Sequence, residues 1–205
     1  MKATTETKQS TLSHLVPAVT FTAITIVIFG VIYPAIVWLI GTFAFPYQTY
    51  GSLVKDDKGT IVGSSLLGQL FTKPQYFQGR PSAAGKNGYD PTQTGGTNLA
   101  PTSKKLIDSV TAAVAALKKA NPNATGDIPP ELVTSSASGV DPDISPEGAY
   151  YQIPRVAKAR GVSQDAIRAI VDAHIEGRTF GILGDPRVNV LELNRALDAT
   201  SAPKS

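Results

Sequence analysis

The stretch Val16–Ile40, VPAVTFTAITIVIFGVIYPAIVWLI, decides how this chain is built. It holds twenty-five residues without a formal charge, and the uncharged window around it runs from Gln9 to Val54 with only His14 able to add a positive charge. At ~1.5 Å per residue such a helix is roughly 37 Å long, more than the ~30 Å hydrocarbon core of a bilayer. A buried helix of a soluble protein rarely runs so far without one charged residue on a solvent face. A cleavable secretory signal has a shorter apolar region and small residues at its end; here the run leads into Phe43, Phe45, Pro46 and Tyr47. The segment therefore reads as a retained transmembrane anchor over 16–40, with 1–15 as a tail. Pro17 falls in the first turn, where no intrahelical N–H is needed. Pro34 is interior, deprives the Gly30 carbonyl of its partner and predicts a kink.

The flanks carry an orientation signal. Lys2 and Lys8 precede the span, and no Lys or Arg follows until Lys55. The positive-inside rule places the N-terminus in the cytoplasm and the rest outside. Trp38 and the aromatics after it resemble an interfacial belt.

Outward from the span, residues 46–199 read as one mixed domain, with 200–205 as a flexible tail. Only Lys2, Lys8 and Glu6 precede residue 46, so 17 of the 19 Lys+Arg and 15 of the 16 Asp+Glu lie beyond it, a net of +2. That balance argues against nucleic acid as a partner. Ser52–Val54 and Thr60–Gly63 predict a hairpin around a polar turn. Residues 68–101 form a long Gly/Pro/Ser/Thr/Asn-rich stretch, expected to be an ordered, docked loop because it contains Phe71, Tyr76, Phe77 and Tyr89. Periodicity predicts a helix over Ser103–Ala120 stopped by Asn121-Pro122. Ser145 and Pro146 begin another, which Pro154 should split in two. Ser163 caps a helix through His174, and Asn189 with Glu192 has capping-box spacing for the last one. Val190, Leu191, Leu193 and Leu197 then face the core, and the chain frays after Asp198. The sum is an α+β domain behind one transmembrane helix.

Tempting chemistry mostly fails. Gly79–Asn87 has five residues between its glycines and no Ser/Thr after Lys86, so it is not a P-loop. Asp57-Lys58-Gly59-Thr60 lacks one Thr of the phosphorylated P-type pump motif and reads as a turn. Asp141-Pro142-Asp143 starts like an EF-hand, but Pro146 and Gln152 occupy its sixth and twelfth positions. A looser cation site of Asp141, Asp143 and Glu147 stands beside the plainer reading of helix-capping carboxylates. No Gly-x-Ser-x-Gly elbow is present, and His14 and His174 are the only histidines.

Six stretches carry a resemblance: GSSLLGQLF (63–71), YFQGRPSAAG (76–85), GGTNL (95–99), TSSASGVDPDISP (134–146), YQIPRVAKARG (151–161) and GDPRVNVLELN (184–194). In this order they closely resemble the C subunit of the potassium-transporting Kdp ATPase. The chain departs from the family at Val140 and Asp143, where Leu and His are common, and at Ala137, where Gly is usual; backbone at Ala137 then need not be left-handed.

The resemblance implies an accessory, non-catalytic subunit of a high-affinity ATP-driven potassium pump. The implied partners are a potassium-conducting subunit, a P-type ATP-hydrolysing subunit and a small single-span subunit, with the lipid bilayer. The family is described as a catalytic chaperone raising ATP affinity; with the domain outside, ATP enters only through the complex and no cofactor is assigned to this chain. The loop 68–101 and the segment 134–146 are the expected contact surfaces. Gln69, Arg80, Asn98, Asp141 and Arg155 are the candidate contact residues, although Arg80 and Arg155 have an intradomain pairing as an equal alternative. A rival reading is a membrane-anchored extracytoplasmic enzyme such as a cell-wall hydrolase.

Overall fold

A computed structural model describes residues 11–56 and 58–201, and the chain falls into two compact units, Met1–Ser52 and Leu53–Ser205. The first unit is helical: α1 (Thr11–Val27), a five-residue π turn (Ile28–Ile32), α2 (Tyr33–Ala44) and the short α3 (Pro46–Thr49). From Ser13 to Ala44 the helix is continuous over 32 residues, with none of its residues buried. That is roughly 48 Å at ~1.5 Å per residue, longer than the 16–40 run. The π turn explains how Pro34 is accommodated: the Tyr33 N–H reaches back five residues to the Ile28 carbonyl. A widened turn absorbs the proline's missing N–H without ending the helix.

The second unit begins with a hairpin of β1 (Leu53–Lys55) and β2 (Ile61–Ser64), antiparallel as its pattern predicts. Asp56 closes the turn, its carboxylate accepting from the Lys58 and Thr60 N–H groups. Asp57 of the pump-like motif lies outside the described residues.

Four helices follow: α4 (Lys104–Ala120), α5 (Pro146–Arg160), α6 (Gln164–Ala173) and α7 (Val190–Ser201). Their starts are locally encoded. Ser145 accepts from the Gly148 N–H, Ser163 from Ala166 and Asn189 from Glu192, each fixing an N-cap. Glu192 does not complete a capping box; it pairs with Arg195 at 2.8 Å. Gly161 in the left-handed region (φ 69°) ends α5.

Two expectations need correction. Pro154 does not split α5, which runs unbroken from Pro146 to Arg160. Ile153, Arg155 and Val156 around it are buried, so packing on both sides holds the axis through one lost ladder bond. At the other end α7 continues past Asp198 to Ser201, and only 202–205 lie outside the described residues.

Three very short strands were not foreseen. They are β3 (Asp143–Ile144), β4 (Ile175–Glu176) and β5 (Arg187–Asn189), in the antiparallel order β3-β5-β4. The core sits where this sheet meets α5, α6 and α7: Val188, Ile144, Ile153, Val156, Ile167, Val171, Leu193 and Leu197. Val190 is buried with them, as expected, whereas Leu191 is buried outside this cluster, against Gly63 of β2. By contrast, α4 buries no residue completely and offers Leu117 to the edge of the core.

Candidate functional site

The long loop 68–101 contains no helix or strand, so its backbone groups need other partners. Buried side chains supply them. Asn194 on α7 accepts from the Phe77 N–H (2.8 Å) and donates to the Phe77 carbonyl (2.9 Å). Gln152 on α5 does the same for Gln78, at 2.9 and 3.0 Å. Each amide imitates a neighbouring strand, satisfying both groups of one residue. Phe77, thus held, is 0% exposed.

Arg155 completes the clasp. Its guanidinium donates to the Pro74 and Tyr76 carbonyls, to Gln152 Oε1 and to Asn121 Oδ1, at 2.6 to 2.9 Å. Burial pulls its pKa down to about 10, which leaves it charged at neutral pH. Of the two alternatives for Arg155, the structure draws the intradomain one: it is 8% exposed, and the partners are loop carbonyls and buried amides. Arg160 adds a second tie, donating to the Gln75 and Leu197 carbonyls and pairing with Asp198. The sequence marked Asn121 only as a helix stop and Gln152 only as a misfit in the EF-hand pattern, and none of Asn121, Gln152, Arg160 and Asn194 was among the candidate contact residues. Their partners lie 34 or more positions away in all but local contacts, so no spacing signals them.

The rest of the loop is stitched to 134–146. Gly68 N–H donates to the Val140 carbonyl, Gly95 to Ser138, and Ser136 to Pro81. Ser82 is the hub: its hydroxyl donates to the Gly139 carbonyl and accepts from the Ala84 and Tyr89 N–H groups. The glycine-rich motif that imitates a P-loop is thereby closed on its own hydroxyl. Arg80 meets Asp141 at 3.0 Å, with both side chains about a quarter exposed. Tyr89 donates its hydroxyl to the Arg80 carbonyl, and burial, aided by the Asp141 charge, pushes its pKa up to about 12.

Two of the five candidate residues, Arg80 and Asp141, are therefore joined directly. Gln69 follows Gly68 at the same seam and donates to the Val62 carbonyl of β2. Asn98 is exposed with φ 50°, close to the Gly95 tie. Arg155 lies apart, beneath the loop. Beside the seam, a cavity of about 490 Å³ is lined by Phe71, Arg80, Tyr89, Leu117 and Leu132 among others.

Gly139 makes the seam possible. It has φ 72°, and an added Cβ would stand 2.6 Å from the Ala84 Cβ and 3.0 Å from the Gly95 carbonyl. Gly139→Ala should cost about 2 kcal/mol, from the left-handed backbone and the clash together. A denaturant midpoint of the detergent-solubilised chain by far-UV circular dichroism checks it. Ala137, where glycine is usual in the resembling family, has no positive φ, as expected.

Asp141, Asp143 and Glu147 do not gather into a cation site: among the described residues no three metal-ligating groups come together. Asp141 faces Arg80, while Asp143 accepts from Asn189 and lies 3.4 Å from Arg187. Burial nevertheless holds the Asp143 carboxyl above its ordinary value, against the opposing pull of Arg187. A raised carboxyl means the fold prefers the protonated form, so its contribution is full below the ordinary carboxylate range and is lost as pH rises through the folded value. Asp143→Asn should accordingly leave the thermal midpoint unchanged or raise it by about 1–3 °C at pH 7. The gain should vanish in acid; a thermal scan at both pH values checks this.

Among the described residues one helix is long and apolar enough to cross a membrane, and it precedes an α+β domain whose irregular loop surface is tied internally. The sequence profile of the family described as K+-transporting ATPase, c chain, matches residues 15–199. The "Potassium-transporting ATPase KdpC subunit" of Myxococcus xanthus is 52% identical over 180 residues, covering 88% of this chain and 85% of its own. Proteins of the same description from Caulobacter vibrioides (strain NA1000 / CB15N) and Sorangium cellulosum are each 48% identical. They cover 94% and 91% of this chain, and 96% and 98% of their own. This chain belongs to the KdpC family. The rival reading as a cell-wall hydrolase finds no support among these relatives.

Proposed function

We propose that this chain serves as the accessory C subunit of a high-affinity, ATP-driven potassium uptake pump, and that it takes no catalytic part itself. Family membership across residues 15–199 is the observation that carries this reading. Physical chemistry supports it: a selective pore needs several convergent ligating groups, which one span does not provide. Phosphoryl transfer needs a metal-binding and phosphate-cradling set, and here the glycine-rich candidate is closed by Ser82. The partners are a potassium-conducting subunit, an ATP-hydrolysing P-type subunit and a small single-span subunit, within the inner membrane.

The domain lies outside the cytoplasm on this reading, with Lys2 and Lys8 held inside. Its influence on ATP affinity is then indirect, exerted by favouring one conformation of the pump. The seam between 68–101 and 134–146, with Gln69, Arg80, Asn98 and Asp141, is the surface offered to the potassium-conducting subunit. Its internal ties support this, because a preorganised surface loses little entropy on binding.

Purification of the full chain from membranes in mild detergent tests the assembly: large membrane subunits should accompany it, and their absence overturns the reading. Protease treatment of intact and opened cells tests orientation. Cleavage within 68–101 should occur before opening; cleavage only afterwards would place the domain inside and make direct nucleotide contact available.

A further inference from the structure

The span carries a feature that anchoring alone does not require. At its π turn the Tyr33 N–H donates to the Ile28 carbonyl, five residues back. In a regular α-helix that N–H serves the carbonyl four residues back, which is Phe29. The next N–H along the ladder would come from position 34, and Pro34 has none. The Phe29 carbonyl is therefore cut off from both of the backbone donors that follow it within reach.

Depth raises the cost of leaving it so. In the continuous helix Ser13–Ala44, sixteen residues precede Phe29 and fifteen follow it. At ~1.5 Å per residue each end is more than about 20 Å away, whereas half of a ~30 Å hydrocarbon core is only about 15 Å. Neither lipid headgroups nor bulk water reach an acceptor at that level, and hydrocarbon offers no donor. Within the span, Thr25 is already engaged, its hydroxyl donating to the Phe21 carbonyl at 2.8 Å. The neighbouring residue leaves the approach open. Gly30 is exposed, and an added Cβ there would meet only Ile26 Cγ2 within 4 Å, at 3.8 Å. A glycine beside a free carbonyl lets another helix come close.

We infer that Phe29 and Gly30 form a mid-membrane notch that receives a neutral donor side chain (Ser, Thr, Asn or Gln) from a spanning helix of another subunit of the same pump; this rests on the transmembrane and accessory-subunit readings above. What the notch presents selects its occupant. A bare carbonyl is an acceptor, so the partner must donate. At the midplane that donor must come from protein, and a neutral group is placed there at far less cost than Lys or Arg. A second copy of this chain is a poor match. Inserted in the same direction and related by a two-fold axis, it sets notch against notch and acceptor against acceptor. The π turn is thus more than a way round Pro34. It replaces one ladder bond with a lateral one, placed where it fixes the register of a partner helix.

Two variants of the full chain, expressed with the whole pump, test this. Pro34→Ala restores the missing N–H and lets the ladder close as an α-helix, whereas Gly30→Leu keeps the proline and fills the approach. Each should speed dissociation of the chain from the detergent-purified complex about tenfold, as expected for the loss of one interhelical hydrogen bond. Isotope-edited infrared spectroscopy with labelled phenylalanine carbonyls reads the bond itself. The band that disappears in Phe29→Leu should lie at lower wavenumber in the complex than in the isolated chain. Unchanged dissociation in either variant, or a Phe29 band that does not shift, overturns the inference. So does self-association of the isolated chain that the variants abolish, which would make the occupant a second copy. If the unaltered chain brings down no pump subunits, the accessory-subunit reading has failed and this inference with it; if it brings them down and the notch is silent, only the notch is wrong.

Discussion

Arg155→Met is expected to lower the stability of the domain by about 3 kcal/mol. The substitution keeps the apolar stem and removes four donated hydrogen bonds, leaving Asn121 Oδ1 short of a donor in a buried site and the Pro74 and Tyr76 carbonyls short of one in partly buried sites. Unpaired buried groups cost about 1–3 kcal/mol each. The sum is reduced because the native guanidinium carries a desolvation penalty, visible in its depressed pKa of about 10. Arg155→Lys should rescue little, since one ammonium does not reproduce the planar fork that reaches the loop carbonyls and the two side-chain amides together. Denaturant unfolding of the detergent-solubilised chain measures the loss. Hydrogen exchange locates it, with the amides of Phe77 and Gln78 expected to lose protection first. If those amides stay protected, the clasp is not what holds the loop.

Phe77→Ala should be at least as damaging, at about 3–5 kcal/mol. The ring is fully buried, and the cavity left by its removal lies between backbone groups pinned by Asn194 and side chains already fixed in the core. Against a typical total of about 5–15 kcal/mol, that loss leaves a domain with little margin at 37 °C. The readout is the same denaturant midpoint, with Phe77→Leu as the milder comparison. A cost below about 1 kcal/mol for the alanine would show that the loop is laid on the core rather than locked into it.

How far the sequence revealed this arrangement depended on the range of each signal. The anchor was legible because twenty-five uncharged residues have few other uses, and the helix starts because Ser145, Ser163 and Asn189 act within three residues of themselves. The strands at 143–144, 175–176 and 187–189 are two or three residues long, too short for an alternation to be read. Pro154 misled because local propensity was outweighed by burial on both sides of it. The seam's components, Arg80 and Asp141, were picked out singly, but their meeting spans 61 positions and no local pattern announces it. Arg155 was noticed for its charge, while its destination depended on Asn121 and Gln152, whose importance is set wholly by the fold.

The same view relates structure to role. Side chains in the helices supply the hydrogen bonds that a sheet would otherwise give to 74–78, and the loop beyond is tied to 134–146 by backbone bonds and by Ser82. The outcome is an irregular but preorganised surface, which suits the docking role proposed for it. On the proposed reading, the bare helix anchors the chain and this surface docks.

The most direct measurement of that account is potassium-stimulated ATPase activity in membranes lacking this chain, compared with membranes in which the full chain is restored. The account predicts that activity is lost on deletion and recovered on restoration. Unchanged activity in the deleted membranes would contradict it.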